Sequence, residues 1–183
     1  MVEPNSIVLI SKTELIPLTG LDAMLARIRP AWQAKSLIER VKRLLPTDPS
    51  SACQRLFNAA IHDLRDKIIR AGLDIASEAA NANKLPPVAK NEDILDNYSP
   101  LHTLELAYRM GLLDRPDWKR LRRVYDIRRD LEHEDDEYEA QAEDCFYVFK
   151  SCIELVLSKD PVELLRIADM EEVIEAPGRV NLS

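Results

Sequence analysis

Residues 51–71, SACQRLFNAAIHDLRDKIIRA, decide the fold class of this chain. Leu56, Ala59, Ala60, Leu64, Ile68 and Ile69 recur at the spacing that gathers side chains on one face of an α-helix. Ser50 and Ser51 stand where a hydroxyl caps the free N–H groups of a first turn, and Gly72 marks a pause at the far end. A helix this long with a single apolar stripe has to bury that stripe against other helices.

The flanking sequence supplies them. Upstream, Pro46-Thr47-Asp48-Pro49-Ser50 is a stop and restart. Before it a helical pattern runs from Leu21 to Leu45, with Leu37, Ile38, Val41, Leu44 and Leu45 on its apolar side. Arg29-Pro30 is expected to break or kink it, because proline removes a backbone donor and clashes with the preceding turn. Residues 1–20 read as an irregular arm, in which Ile7 to Ile10 suit a short strand or a strap across the bundle. Downstream, Leu73 to Asn83 continues helical and Leu85-Pro86-Pro87-Val88 is a loop. Further helices are expected from Pro100 to Leu113, from Asp117 to about His133, and from Tyr138 to Leu157. The last of these carries Phe146, Phe149, Ile153 and Val156 on its face. Asp160 and Pro161 suit the cap and first position of a final short helix. The expected architecture is all-α, an up-and-down bundle of four to six helices spanning residues 21–160, with residues 161–183 forming a C-terminal helix and tail.

Composition agrees. The chain has 183 residues, only four glycines and 5% aromatic residues, and 46% of it is hydrophobic, enough for one sizeable core. Cys53, Cys145 and Cys152 have no metal-like spacing; Cys145 and Cys152, seven apart on one helix, are expected to face the core as reduced thiols. The N-terminus lacks a basic segment and a long apolar run, and Pro4 and Pro17 interrupt it. No stretch approaches the ~18 apolar residues that cross a bilayer, so the expected setting is the cytoplasm, with no membrane contact.

A formal net charge of -7 excludes general attraction to nucleic acid. One local exception stands out. From Lys119 to Arg129 six of eleven residues are basic: Lys119, Arg120, Arg122, Arg123, Arg128 and Arg129. An acidic run follows, with Asp130, Glu132, Glu134, Asp135, Asp136, Glu137 and Glu139 around His133. So many cations in three turns repel one another unless something negative lies close, either those carboxylates or an anionic ligand. Arg129 and His133 are four apart and share a helix face, whereas Arg128, five from His133, sits off that face on an ideal helix.

The segment Arg128-Arg129-Asp130-Leu131-Glu132-His133 resembles the RX4-6H motif of the HEPN superfamily, with four residues between Arg128 and His133. The family often has Asn, Asp or His directly after the arginine. Here Arg129 takes that place; with Arg129 as the motif arginine, Asp130 suits the next position but the spacing is one residue short. The resemblance implies a small helical bundle, and for many members a metal-independent endoribonuclease with no cofactor. It implies that Arg128 or Arg129 and His133 form the catalytic centre, with Asp130 or Glu132 orienting the imidazole or restraining an arginine. It further implies a symmetric homodimer that brings two motifs to one cleft. Lys119, Arg120, Arg122 and Arg123 would then bind RNA, and a protein antitoxin or other partner fits a toxin or defence role.

Other readings stay open beside it. One is a catalytically inactive HEPN-like bundle that binds RNA, nucleotide or a protein partner; another is an ordinary helical adaptor in which the basic stretch pairs with its acidic neighbour. His62, beside Asp63, suits a structural role, and His102 a surface or capping position at a helix start. Trp32 and Trp118 suit packing anchors. A divalent ion held by His133 and the acidic run is chemically reasonable, but a lone histidine in such a run is more often solvated surface, and no metal is expected. There is no glycine-rich phosphate loop, CxxC pair or serine nucleophile motif.

Overall fold

The computed structural model describes residues 20–132, 141–162 and 164, and every regular element among them is helical. A first helical segment, α1, covers residues 20–25. It is followed by α2 (Pro30–Gln33), α3 (Ser36–Leu44), α4 (Pro49–Ala71) and α5 (Leu73–Ala82). After a π-helical turn at Asp93–Asn97 come α6 (Pro100–Arg109), α7 (Arg115–Glu132) and α8 (Ala142–Cys152), which runs into a second π-helical turn at Ile153–Leu157. None of the helices in the described residues is long and apolar enough to cross a membrane. Of the expected arm at 1–20, only Gly20 is described, and it is helical; residues 1–19 and the segment from 165 onward lie outside the described residues.

The stripe on α4 is the centre of the bundle. Leu56, Phe57, Leu64 and Ile68 are all at most 2% exposed, and α4 packs against α3, α5, α6, α7 and α8. Full burial of each large apolar side chain is worth about 1.5–3 kcal/mol, so this one helix organises most of the core. The start of α4 differs from expectation. The cap is Asp48, whose carboxylate accepts from the Ser51 backbone N–H at 3.0 Å, and Pro49 occupies the first turn. Proline suits that position because its missing N–H is one no helix satisfies there. Hydrogen bonds from Ser51, its side chain first and its backbone second, hold the Asp48 carboxyl below its ordinary pKa. Asp48→Ala is expected to cost about 1 kcal/mol in urea unfolding at neutral pH. Because the folded pKa is the lower one, that contribution is present above the ordinary carboxylate range and fades as pH falls through the depressed value.

Several boundaries move for local reasons. Pro30 starts α2 instead of breaking a longer helix. Gly72, at φ +136, makes the sharp joint between α4 and α5 in a conformation that L side chains rarely adopt. Cys145, Val148, Phe149 and Cys152 form the core face of α8, and all three cysteines are free and buried. Phe146 lies one position off that face and is 38% exposed, contrary to expectation. Pro161 and Val162 are not helical, so the final helix does not begin there. Instead the Leu164 N–H bonds the Ala71 carbonyl at 3.0 Å, one of the groups left over at the end of α4.

The core also contains charge. Asp63, next to the exposed His62 on α4, has a side chain only 1% exposed. Arg29 grips it as a fork, at 2.7 Å to Oδ1 and 3.0 Å to Oδ2. Trp32 Nε1 donates to Oδ1 at 2.9 Å, and Lys67 Nζ lies 3.1 Å from Oδ2. Two cations thus share one carboxylate, and backbone carbonyls take up the excess: Lys67 donates to Val156 and Arg29 to Lys159. The wide turn at Ile153–Leu157 supports this. Its closing bond runs from the Ser158 N–H to the Ile153 carbonyl, five residues back, which leaves the Leu157 carbonyl to accept from the Arg29 N–H at 3.0 Å. Burial pushes the Lys67 ammonium below its ordinary pKa, and Asp63 draws it back.

Candidate functional site

Helix α7 carries the basic segment, and its two faces separate cleanly. Leu121, Val124 and Ile127 are buried, while Lys119, Arg122, Arg123, Asp126, Arg129 and Asp130 are exposed. The start is fixed by Asp114, whose carboxylate accepts from the Asp117 N–H at 2.8 Å. The end is fixed by α4: Gln54 Nε2 donates to the Leu131 carbonyl at 3.1 Å, one of the carbonyls a helix leaves unpaired in its last turn.

The two candidate arginines have unlike surroundings. Arg128 is 20% exposed, lies over the Phe57 ring at 6.0 Å, and pairs with Glu132 at 2.5 Å. Its Nε is buried and has no hydrogen-bond partner among the described residues. Arg129 is 55% exposed and only approaches Asp126 and Asp130, at 4.0 Å each. The guanidinium with a defined position is therefore that of Arg128, at the edge where α7 meets α4. Helical spacing alone groups Arg129 with His133, but packing against Phe57 selects Arg128 as the ordered side chain. His133 and the acidic residues Glu134, Asp135, Asp136, Glu137 and Glu139 lie outside the described residues. Asp130 and Glu132 are both largely exposed on the last turn of α7, where Glu132 is engaged by Arg128.

The other cations also divide. Arg120 points toward α8, with Ser151 Oγ at 3.5 Å and Glu154 Oε2 at 3.8 Å; Glu154 also meets Arg27 at 3.3 Å. Arg120 thus contributes to the contact between α7 and α8. Lys119, Arg122 and Arg123 pair with no carboxylate among the described residues. Arg122 lies over the Trp118 ring at 5.3 Å and Arg123 over Tyr147 of α8 at 5.4 Å. Trp118 in turn stacks on Tyr108 of α6, with centroids 5.0 Å apart and planes 23° apart.

Residues that the sequence did not single out complete the region. Phe57 and Gln54, one turn apart on α4, support the end of α7, and Tyr125 tilts against Phe57 at 6.3 Å. The only advance signal was the apolar stripe itself, which says nothing about which arginine it meets. His102 sits in the first turn of α6, where its N–H bonds the Ser99 hydroxyl at 3.1 Å. A groove of about 1080 Å³ lies elsewhere, lined by Arg27, Arg29, Gln33, Lys42 and Asp160 among others, and it includes no α7 residue. Among the described residues no group of three or more His, Cys, Asp or Glu side chains converges in a way that could hold a metal ion.

Compared with family models, curated proteins and solved structures, the chain gives no match.

Proposed function

We propose that this chain is an HEPN-like helical bundle that cleaves RNA without a metal, using Arg128 near the end of α7 and His133 five residues after it in sequence. The observation that carries the proposal is the placement of Arg128, whose guanidinium is held between the Phe57 ring and Glu132, five residues before His133. A cation fixed in this way is preorganised for the charge that builds on phosphorus in the transition state.

The chemistry uses groups that RNA itself supplies. A 2′-oxygen attacks the adjacent phosphorus, forming the 2′-O–P bond as the P–5′-O bond breaks. One imidazole accepts the 2′-hydroxyl proton, and an acid returns a proton to the leaving 5′-oxygen; histidine titrates in the range that suits either task. Arg128 takes the phosphate oxygens in its planar fork, exchanging Glu132 for substrate. The released Glu132, or Asp130, then orients the imidazole. One His133 cannot be base and acid in the same step, so the second comes from a second copy in a symmetric homodimer. The setting is the cytoplasm, and a protein antitoxin is the matching partner.

The same geometry favours a second reading. Arg128 is already neutralised by Glu132 at 2.5 Å, and Arg129 follows it directly, which suits a bundle that binds RNA, nucleotide or protein without cutting. Cleavage of mixed RNAs in EDTA separates the two. Wild type is expected to cut and leave 2′,3′-cyclic phosphate ends, with losses of at least ~100-fold in His133→Ala and Arg128→Ala and a much smaller loss in Arg129→Ala. A folded dimer that cuts no RNA favours the binding-only bundle.

A further inference from the structure

We infer that the outer face of α7 is a track for single-stranded RNA, with Arg122 and Arg123 as its two stacking positions and Lys119 as a phosphate contact; the inference rests on the proposal that the chain acts on RNA, and it names the form of RNA and where it lies.

Three observations support it. The first is charge with no counter-ion among the described residues. Lys119, Arg122 and Arg123 are exposed, and none of them pairs with a described carboxylate, although the chain as a whole is acidic. Asp126, the nearest carboxylate along the same face, is approached by Arg129. Exposed cations with no described carboxylate partner, set along one helix face, are available to an anionic ligand.

The second is the support beneath the guanidinium groups. Arg122 rests over Trp118, itself stacked on Tyr108, and Arg123 rests over Tyr147. Three helices, α6, α7 and α8, therefore supply the rings that hold two neighbouring guanidinium groups in place. A guanidinium held over a ring loses little freedom on binding, and its open face can stack on a base while its edge donates to phosphate. Bases are free to stack in this way when the strand is unpaired, whereas in a duplex they are occupied by one another.

The third is position. The track lies on α7, which carries Arg128 near its end, and Arg122 is six residues, roughly 9 Å along the axis, before that arginine. A strand laid along α7 reaches Arg128 without leaving the helix. The surface does not suit a membrane: the exposed large apolar side chains among the described residues are Leu95, Phe146 and Val162, and none is on α6 or α7.

The test is binding, measured by fluorescence anisotropy on His133→Ala protein with labelled single-stranded RNA, the matching duplex, and polyglutamate as competitor. The single strand is expected to bind about 10-fold more tightly than the duplex. Lys119→Glu with Arg122→Glu should weaken it about 100-fold and lower the slope of log affinity against log salt by about 1.4, twice the ~0.7 per phosphate contact. Arg122→Lys with Arg123→Lys keeps every charge and removes both planes. It should lose about 10-fold in affinity with the salt slope unchanged, and its conservative change keeps the test usable if the reversal disturbs folding. Failure to bind single-stranded RNA, equal binding of duplex, or indifference of the lysine variant overturns the track. Displacement by polyglutamate as readily as by RNA also overturns it and points to an acidic polypeptide. Cleavage is scored separately on wild type: a protein that binds along α7 but never cuts sinks the nuclease and keeps the track.

Discussion

Asp63→Ala is expected to lower the free energy of unfolding by about 3–5 kcal/mol, close to the whole stability of a marginal domain. The cause is what the substitution leaves behind. Lys67, 9% exposed, stays in the interior with no other ion-pair partner among the described residues, Arg29, 10% exposed, keeps only the exposed Asp160 at 4.0 Å, and Trp32 Nε1 loses its acceptor. Removing one partner of a buried ionic group is costly because the remaining charges stay desolvated and uncompensated. Asp63→Asn separates charge from hydrogen bonding. It still offers Trp32 and Arg29 an oxygen, so its loss should be about half that of alanine. Urea unfolding at neutral pH measures both. A loss below about 1 kcal/mol in Asp63→Ala would show that water or a shifted side chain compensates the two cations and that the cluster contributes little.

The second large effect is expected at Phe57, which belongs to the core and to the site at once. Its side chain is fully buried, meets Tyr125, and lies beneath the Arg128 guanidinium. Phe57→Ala should cost about 3–5 kcal/mol through lost contacts and the cavity left at the centre of α4. Phe57→Leu keeps most of the apolar volume and should cost under about 1.5 kcal/mol, yet it removes the flat surface that holds Arg128. RNA cleavage by the folded leucine variant is therefore expected to drop about 10-fold, through misplacement of a group that needs a defined position. Unchanged cleavage in Phe57→Leu would mean that Glu132 alone places Arg128.

Periodicity made the bundle legible and left its charges illegible. Leu56, Ala60, Leu64 and Ile68 announce the buried face of α4 because each acts through local spacing. Asp63 lies on that same buried helix, and of its partners only Lys67, four residues on, is near it in sequence. Arg29 is 34 residues away, and the carbonyl that accepts from Lys67 is 89 residues away. Long-range polar pairing of this kind has no sequence period. The cap shows the same limit on a smaller scale: Ser50 and Ser51 are good capping residues, but Pro49 is better accommodated inside the first turn, which leaves Asp48 as the cap. At the site, the sequence located the cations on one helix. It could not rank Arg128 against Arg129, because the ranking depends on Phe57, and it grouped Arg120 with the exposed cations although Arg120 faces Glu154 of the second π-helical turn.

The cover over the Asp63 cluster comes from the end of the bundle, and this bears on the order in which the chain leaves the ribosome. Arg29, Asp63 and Lys67 are synthesised early, whereas the carbonyls that complete their surroundings come later, Val156 89 residues after Lys67 and Lys159 130 residues after Arg29. At about 5–20 residues per second, the nascent chain spends several seconds with these charges made but not enclosed. A nascent chain halted before residue 156 therefore carries Arg29 and Lys67 without the carbonyls that cover them.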